Sequence, residues 1–200
     1  MKAFVSKLVE KFNNKVLMIF SIVLGSLALL AGIFTIAQEA REGCGTFLNL
    51  LVMSVLFFIL AFLLYKDDKK KSFIVSLILL ADFVLTGFGN SVTQFIYAGD
   101  AYGAIIAGMA FIGLGALALF AAGIIHVVML LKDGCNKDLL HFVCTPIFVI
   151  GGFFYFLGAI LMVCEGGDGL YIVTFLFTNF LIAGEAVMFG FGGKKLLSAE

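Results

Sequence analysis

Six long apolar runs, separated by short polar connections, constrain this chain more than any other feature. They cover about Val16–Ala37, Phe47–Tyr65, Phe73–Gly89, Gly103–Leu131, Phe142–Val163 and Leu170–Phe191. A helix needs about 20 consecutive apolar residues to cross the hydrocarbon core of a bilayer. The runs are continuous rather than alternating with period two, which excludes an outer-membrane barrel. Hydrophobic residues make up 62% of the chain and charged residues 13%, against about 25% charged in a soluble domain. The chain reads as an all-α, polytopic membrane protein with six transmembrane helices. The fourth run exceeds a single crossing and is expected to tilt, or to begin in the outer interface. Val16–Ala37 is too long for a signal-peptide core and lacks a small-residue cleavage site after it, so it reads as a retained first span.

Charge orients the spans. Lys2, Lys7, Lys11 and Lys15 precede span one; Lys66, Lys69, Lys70 and Lys71 join spans two and three. Lys132 and Lys137 join four and five, and Lys194 and Lys195 follow six. Of the thirteen basic residues only Arg41 falls in the other set of loops. The positive-inside rule therefore predicts that both termini are cytoplasmic, with a plasma membrane as the expected location. Tyr65, Tyr97, Tyr102 and Tyr171 fall at or near span ends, where an amphipathic ring is favoured. In residues 1–15, Phe4, Val5, Leu8, Val9 and Phe12 share a helical arc opposite most of the lysines, the pattern of a basic interfacial helix. The plain alternative is a solvated tail. The balance of 13 basic against 13 acidic residues argues against a nucleic-acid partner.

An internal repeat then emerges. "ADFVLTGFG" at 81–89 matches "GEAVMFGFG" at 184–192, with Asp82 over Glu185 and a Gly-Phe-Gly at the same distance after each. "IVLGSLALLA" at 22–31 matches "IGLGALALFA" at 112–121, and spans two and five align weakly through "FF" at 57–58 and 153–154. One pairs with four, two with five and three with six. Three spans per unit force the second unit into the membrane upside down. The expectation is thus a 3+3 inverted-topology repeat, 16–95 and 96–193, with a basic segment 1–15 before it and a tail 194–200 after it. That plan recurs in secondary transporters, with the working site near the midplane.

Asp82 lies ~16 Å beyond Lys71 and Glu185 ~13 Å before Lys194, so in a core ~30 Å thick both acids come close to the midplane. On span three, Ser72, Ser76, Asp82, Thr86 and Asn90 fall within about 120° of arc. On span six, Tyr171, Thr174, Thr178 and Glu185 fall within about 60°, with Asn179 to the side. A charged acid facing lipid at a helix centre costs about 2.5–3.5 kcal/mol, so these stripes are expected to turn inward. Two neighbouring carboxyls in such a site tend to share one proton. Asp82 and Glu185 are therefore the candidate ion- or proton-coupling pair, with Ser76, Thr86, Asn90, Tyr171, Thr174 and Thr178 as the polar path. The alternative is a pair of protonated acids that hydrogen-bond neighbouring helices and fix packing. The Gly-Phe-Gly segments read first as helix ends, and second as hinges.

Small residues mark packing seams: Ser21, Gly25, Ala28, Gly32 and Thr35 on span one, and Ala104, Gly108, Gly115, Ala118 and Ala122 on span four, interrupted by Phe111. These two spans are expected to form a tight central pair or a homodimer seam. Span two, with Asn49 and Ser54 as its polar residues, reads as largely lipid-facing.

The topology puts Cys44 and Cys164 outside, where an oxidising medium would allow a disulfide between them. His126, Cys135, His141 and Cys144 lie at the inner ends of spans four and five. These are metal-ligand types, but their spacing matches no standard site, so no metal and no cofactor is expected. His126 is instead a candidate proton relay to Glu185. No nucleophile elbow, HExxH or phosphate-binding glycine loop occurs, which argues against an enzyme. The leading expectation is a small transporter or channel for an unidentified ion or solute, proton- or cation-coupled, with the lipid bilayer as its other partner. The alternative is a non-catalytic scaffold or subunit of a membrane complex, which the short loops favour.

Overall fold

The computed structural model describes residues 7, 9–38, 44–97, 103–131, 137–164 and 169–197. It is all helical: α1 (Asn14–Gln38), α2 (Cys44–Tyr65), α3 (Lys69–Tyr97), α4 (Ala104–Leu131), α5 (Lys137–Cys164) and α6 (Gly169–Leu196). All six helices are long and apolar enough to cross a membrane. Large apolar side chains such as Phe62, Leu85, Val128 and Phe153 stand more than half exposed on the outer faces. A bundle that turns such surface outward all round is suited to hydrocarbon, and the chain is compatible with an integral membrane protein.

Each helix packs on the next in sequence, α6 returns to α1, and α3 also touches α6. The most extensive contacts are α4 with α5 and α1 with α2. Asn14 Nδ2 donates to Asp67 Oδ1 at 2.7 Å, joining the start of α1 to the α2–α3 turn. Phe12 stacks on Phe191 at 5.2 Å, so the start of α1 and the end of α6 share that lysine-rich end. Most of the segment expected to lie on the membrane surface, with Phe4, Val5 and Leu8, is outside the described residues.

The helix ends follow from local chemistry. Asn13 Oδ1 accepts from the Val16 N–H at 3.0 Å and starts α1. Asp67 closes α2 in the left-handed region, φ 53°, which an aspartate tolerates better than most residues. Asp68 N–H reaches back to the Leu63 carbonyl at 3.0 Å, completing a Schellman-type stop. Asp68 then caps α3: Oδ1 accepts from the Lys71 N–H at 3.1 Å, and Oδ2 lies 3.2 Å from Lys71 Nζ. The Lys71 backbone N–H, and then its side chain, hold this carboxyl below its ordinary pKa. A group depressed in the folded state adds stability above its unfolded pKa and loses it as pH falls through the folded one. Asp68→Ala is therefore expected to lower the melting temperature near neutral pH, with the difference from wild type shrinking in acid; a difference constant with pH would contradict the cap.

Several expectations change here. The helix runs straight through both Gly-Phe-Gly segments, to Tyr97 and Leu196, so they are not helix ends. Gly87 sits against Ala116 of α4, and Gly190 against Phe148 of α5. The fourth span does exceed a single crossing, at 28 residues, but it shares that length with α5 and α6, at 28 each, and α3, at 29. The seams on spans one and four do not meet as a central pair. Gly25 and Gly32 face Ser54, Phe57, Phe47 and Leu50 of α2, while Gly108 and Gly115 face Gly158 and Gly151 of α5. The glycines of each seam serve that helix's own hairpin partner, because a tight turn or short connection brings it closest, while Ser21 reaches Met188 of α6. Nor is α2 preferentially lipid-facing: Leu50, Met53, Phe57, Leu60 and Leu64 are buried, as fully as the inner faces of its neighbours. Its apolar sequence does not distinguish a face against helices from one against lipid.

Candidate functional site

The α3–α6 contact brings together two helices that are far apart in sequence. Asp82 stands at the middle of α3 and Glu185 just past the middle of α6. The contact of α3 with α6 brings the Asp82 carboxyl within electrostatic range of Glu185. Their surroundings differ. Glu185 is 3% exposed, and its Oε1 has no hydrogen-bond partner among the described residues. Asp82 is half-buried on the flank of its helix, with Thr86 one turn on along the same flank.

Helical periodicity accounts for this placement. On α3 the fully buried line is Ser72, Ser76, Leu79, Phe83 and Gly87, and Asp82 and Thr86 lie at its edge. On α6, Gly184 and Met188 turn toward Leu24 and Ser21 of α1, while Gly190 turns toward α5. Phe189, one turn after Glu185 on the same face, meets Phe83 of α3 at 5.9 Å.

The remaining stripe residues are less uniform. Ser76 is fully buried and its Oγ has no partner among the described residues. Thr174 is half-buried; Thr178 turns its hydroxyl back to the Thr174 carbonyl at 2.9 Å. Asn179, which the helical wheel sets aside, is buried and bonds the Phe175 carbonyl at 2.8 Å. The side chains of Asn90 and Tyr171 lie outside those described.

His126 is buried on α4, with its ring 6.1 Å from Phe148. Phe148 in turn meets Phe83 at 6.1 Å, so a run of rings connects His126 to α6. Cys144 donates to the Ala122 carbonyl at 3.8 Å, one turn from His126. Among the described residues no three His, Cys, Asp or Glu groups gather as a metal site; Cys135 and the His141 side chain lie outside them. Cys164 ends α5 as an exposed free thiol, and the Cys44 side chain is outside those described.

Two features escaped the sequence reading. Thr145 is buried and donates to the Gly190 carbonyl at 2.6 Å, tying α5 to the second Gly-Phe-Gly. Phe83, Phe148 and Phe189 form a cluster in which no side chain is more than 1% exposed. With 24 phenylalanines in the chain, none of these three carries a distinguishing signal; the pairing of a helix face with a partner face does.

Two acids of this kind, one with a buried oxygen that has no hydrogen-bond partner among the described residues and the other half-buried near a hydroxyl, are chemically suited to holding a shared proton or a small cation. No family model, curated protein or solved structure matches the chain.

Proposed function

We propose that this chain is a small, non-catalytic membrane transporter or channel in which Asp82 and Glu185 exchange a proton or monovalent cation. The observation that carries the reading is that two acids, 103 positions apart in the sequence (82 to 185), stand at mid-helix on helices in contact, within electrostatic range of each other, with Glu185 almost wholly buried. An ionisable residue within the membrane is expensive and marks an ion or substrate pathway by default. Two further points support an inverted 3+3 repeat. The pattern of helix neighbours maps onto itself when α1, α2 and α3 are exchanged for α4, α5 and α6. The contact of α3 with α6 then lies on the exchange axis, where such folds hold their sites. In this reading the lysine-rich end faces the cytoplasm of a plasma membrane.

The test is flux. Purified protein in liposomes with a trapped pH dye is expected to pass ions down imposed H⁺, Na⁺ or K⁺ gradients, and Glu185→Gln is expected to abolish that flux. Equal flux in wild type, Glu185→Gln and Asp82→Asn would overturn the assignment. A scaffold reading draws on one observation: Thr178 and Asn179 bond their own helix rather than an open path. It expects no flux under any gradient.

A further inference from the structure

Within apolar helices, serine and threonine usually satisfy their hydroxyls on the carbonyl one turn back. Ser21, Ser26, Thr35, Thr93 and Thr178 all do so here, at 2.8–2.9 Å. Ser54 and Thr145 bond instead to the backbone of a neighbouring helix, at Gly25 and Gly190. Ser72 and Ser76 break this pattern. They are 5% and 0% exposed, one turn apart on the inner face of α3, and neither Oγ has a partner among the described residues. A buried polar atom without a protein partner is ordinarily satisfied by water, and such a water needs polar groups to hold it.

Their position is informative. Along α3 from its lysine-rich start the order is Ser72, Ser76, Asp82, Phe83. Phe83 lies about 10 Å beyond Ser76, and its ring joins those of Phe148 and Phe189. The serine pair therefore sits between the lysine-rich end and the ring cluster that adjoins the carboxyls.

We propose that Ser72 and Ser76 hold a short file of ordered water, entered from the lysine-rich end and stopped by the rings of Phe83, Phe148 and Phe189. This file is the route by which Asp82, just short of the rings on α3, exchanges ions with that side, while Glu185 lies one turn past Phe189. Its purpose rests on the transport reading above; its existence does not.

The test is infrared spectroscopy of the full chain in liposomes on transfer to D₂O, with Cys44, Cys135 and Cys164 replaced by serine. Cys144, 1% exposed and bonded to Ala122, supplies the S–H band of a dry site. The new S–H band of Ser76→Cys is expected to exchange at least about tenfold faster than that of Cys144. Exchange as slow as Cys144 overturns the file. If Ser76→Cys does not fold, Ser72→Ala and Ser76→Ala decide by sign. Removing an unpaired hydroxyl from a dry interior raises the melting temperature, whereas removing one that holds water lowers it. A rise in both variants overturns the proposal. Exchange and flux separate the two claims: fast exchange without any flux keeps the water file and removes the transport site, while Glu185-dependent flux with slow exchange does the reverse.

Discussion

Glu185→Gln is expected to reduce ion flux in liposomes to the level of empty vesicles, and Asp82→Asn to reduce it less. The order follows from the surroundings. Glu185 is almost wholly buried, with an oxygen that has no partner among the described residues, so nothing there replaces its charge or its proton. Asp82 is half-buried beside the Thr86 hydroxyl, which still offers a polar group when the carboxylate is gone. Glutamine has nearly the shape of glutamate but cannot release a proton. Stability is expected to move the other way. A charged acid at a helix centre in a bilayer costs about 2.5–3.5 kcal/mol, so the neutral isostere should leave the melting temperature unchanged or raise it. Loss of flux without loss of stability separates a working carboxyl from a packing one. Loss of both together would point to a structural hydrogen bond at Glu185.

The second large effect is on folding. Gly158→Leu is expected to destabilise the bundle by about 1–3 kcal/mol or more, since overpacking a contact that cannot relax costs that much. A β-carbon alone at Gly158 meets the Gly108 carbonyl oxygen at 2.6 Å and the Ile112 nitrogen at 2.9 Å. Both are backbone atoms of a helix and cannot swing aside. Gly108 faces Gly158 and Gly115 faces Gly151, so the α4–α5 pair meets twice at a glycine–glycine crossing, seven residues apart on each helix. Such close approach is how helices associate where lipid supplies no hydrophobic drive. Gly89→Ala is the contrasting substitution. Among the described residues, no atom outside its own stretch of helix lies within 4 Å of a β-carbon built there, and alanine is favoured over glycine in a helix by about 1 kcal/mol. Melting of the two variants in detergent checks the pair; a Gly158→Leu protein as stable as wild type would contradict the close crossing.

The particular residues show how far the sequence reaches. Asp82 and Glu185 were legible because an acid in an apolar run is conspicuous, and because the same spacing to Gly-Phe-Gly recurs after each. The seam Gly25–Gly32 was legible as a packing face but not by its partner. Small residues announce that something comes close, and which helix does so depends on the connections and on the whole arrangement. The Gly-Phe-Gly segments misled for a related reason. Glycine ends helices in water, but among packed helices it also makes room for Ala116, Phe148 and Leu17 without interrupting the backbone.

By itself, then, the sequence determined the number of helices, their shared end of lysines and the two acids near their middles. Those follow from length, hydropathy and charge, which act one segment at a time. Tertiary structure alone decided that Glu185 is buried while Asp82 stays half-open, that glycines on α5 answer those on α4, and that Phe83, Phe148 and Phe189 converge beside the carboxyls. Each of these depends on which face of one helix meets which face of another. In a chain that is 62% hydrophobic, faces against lipid and faces against protein are written in the same residues.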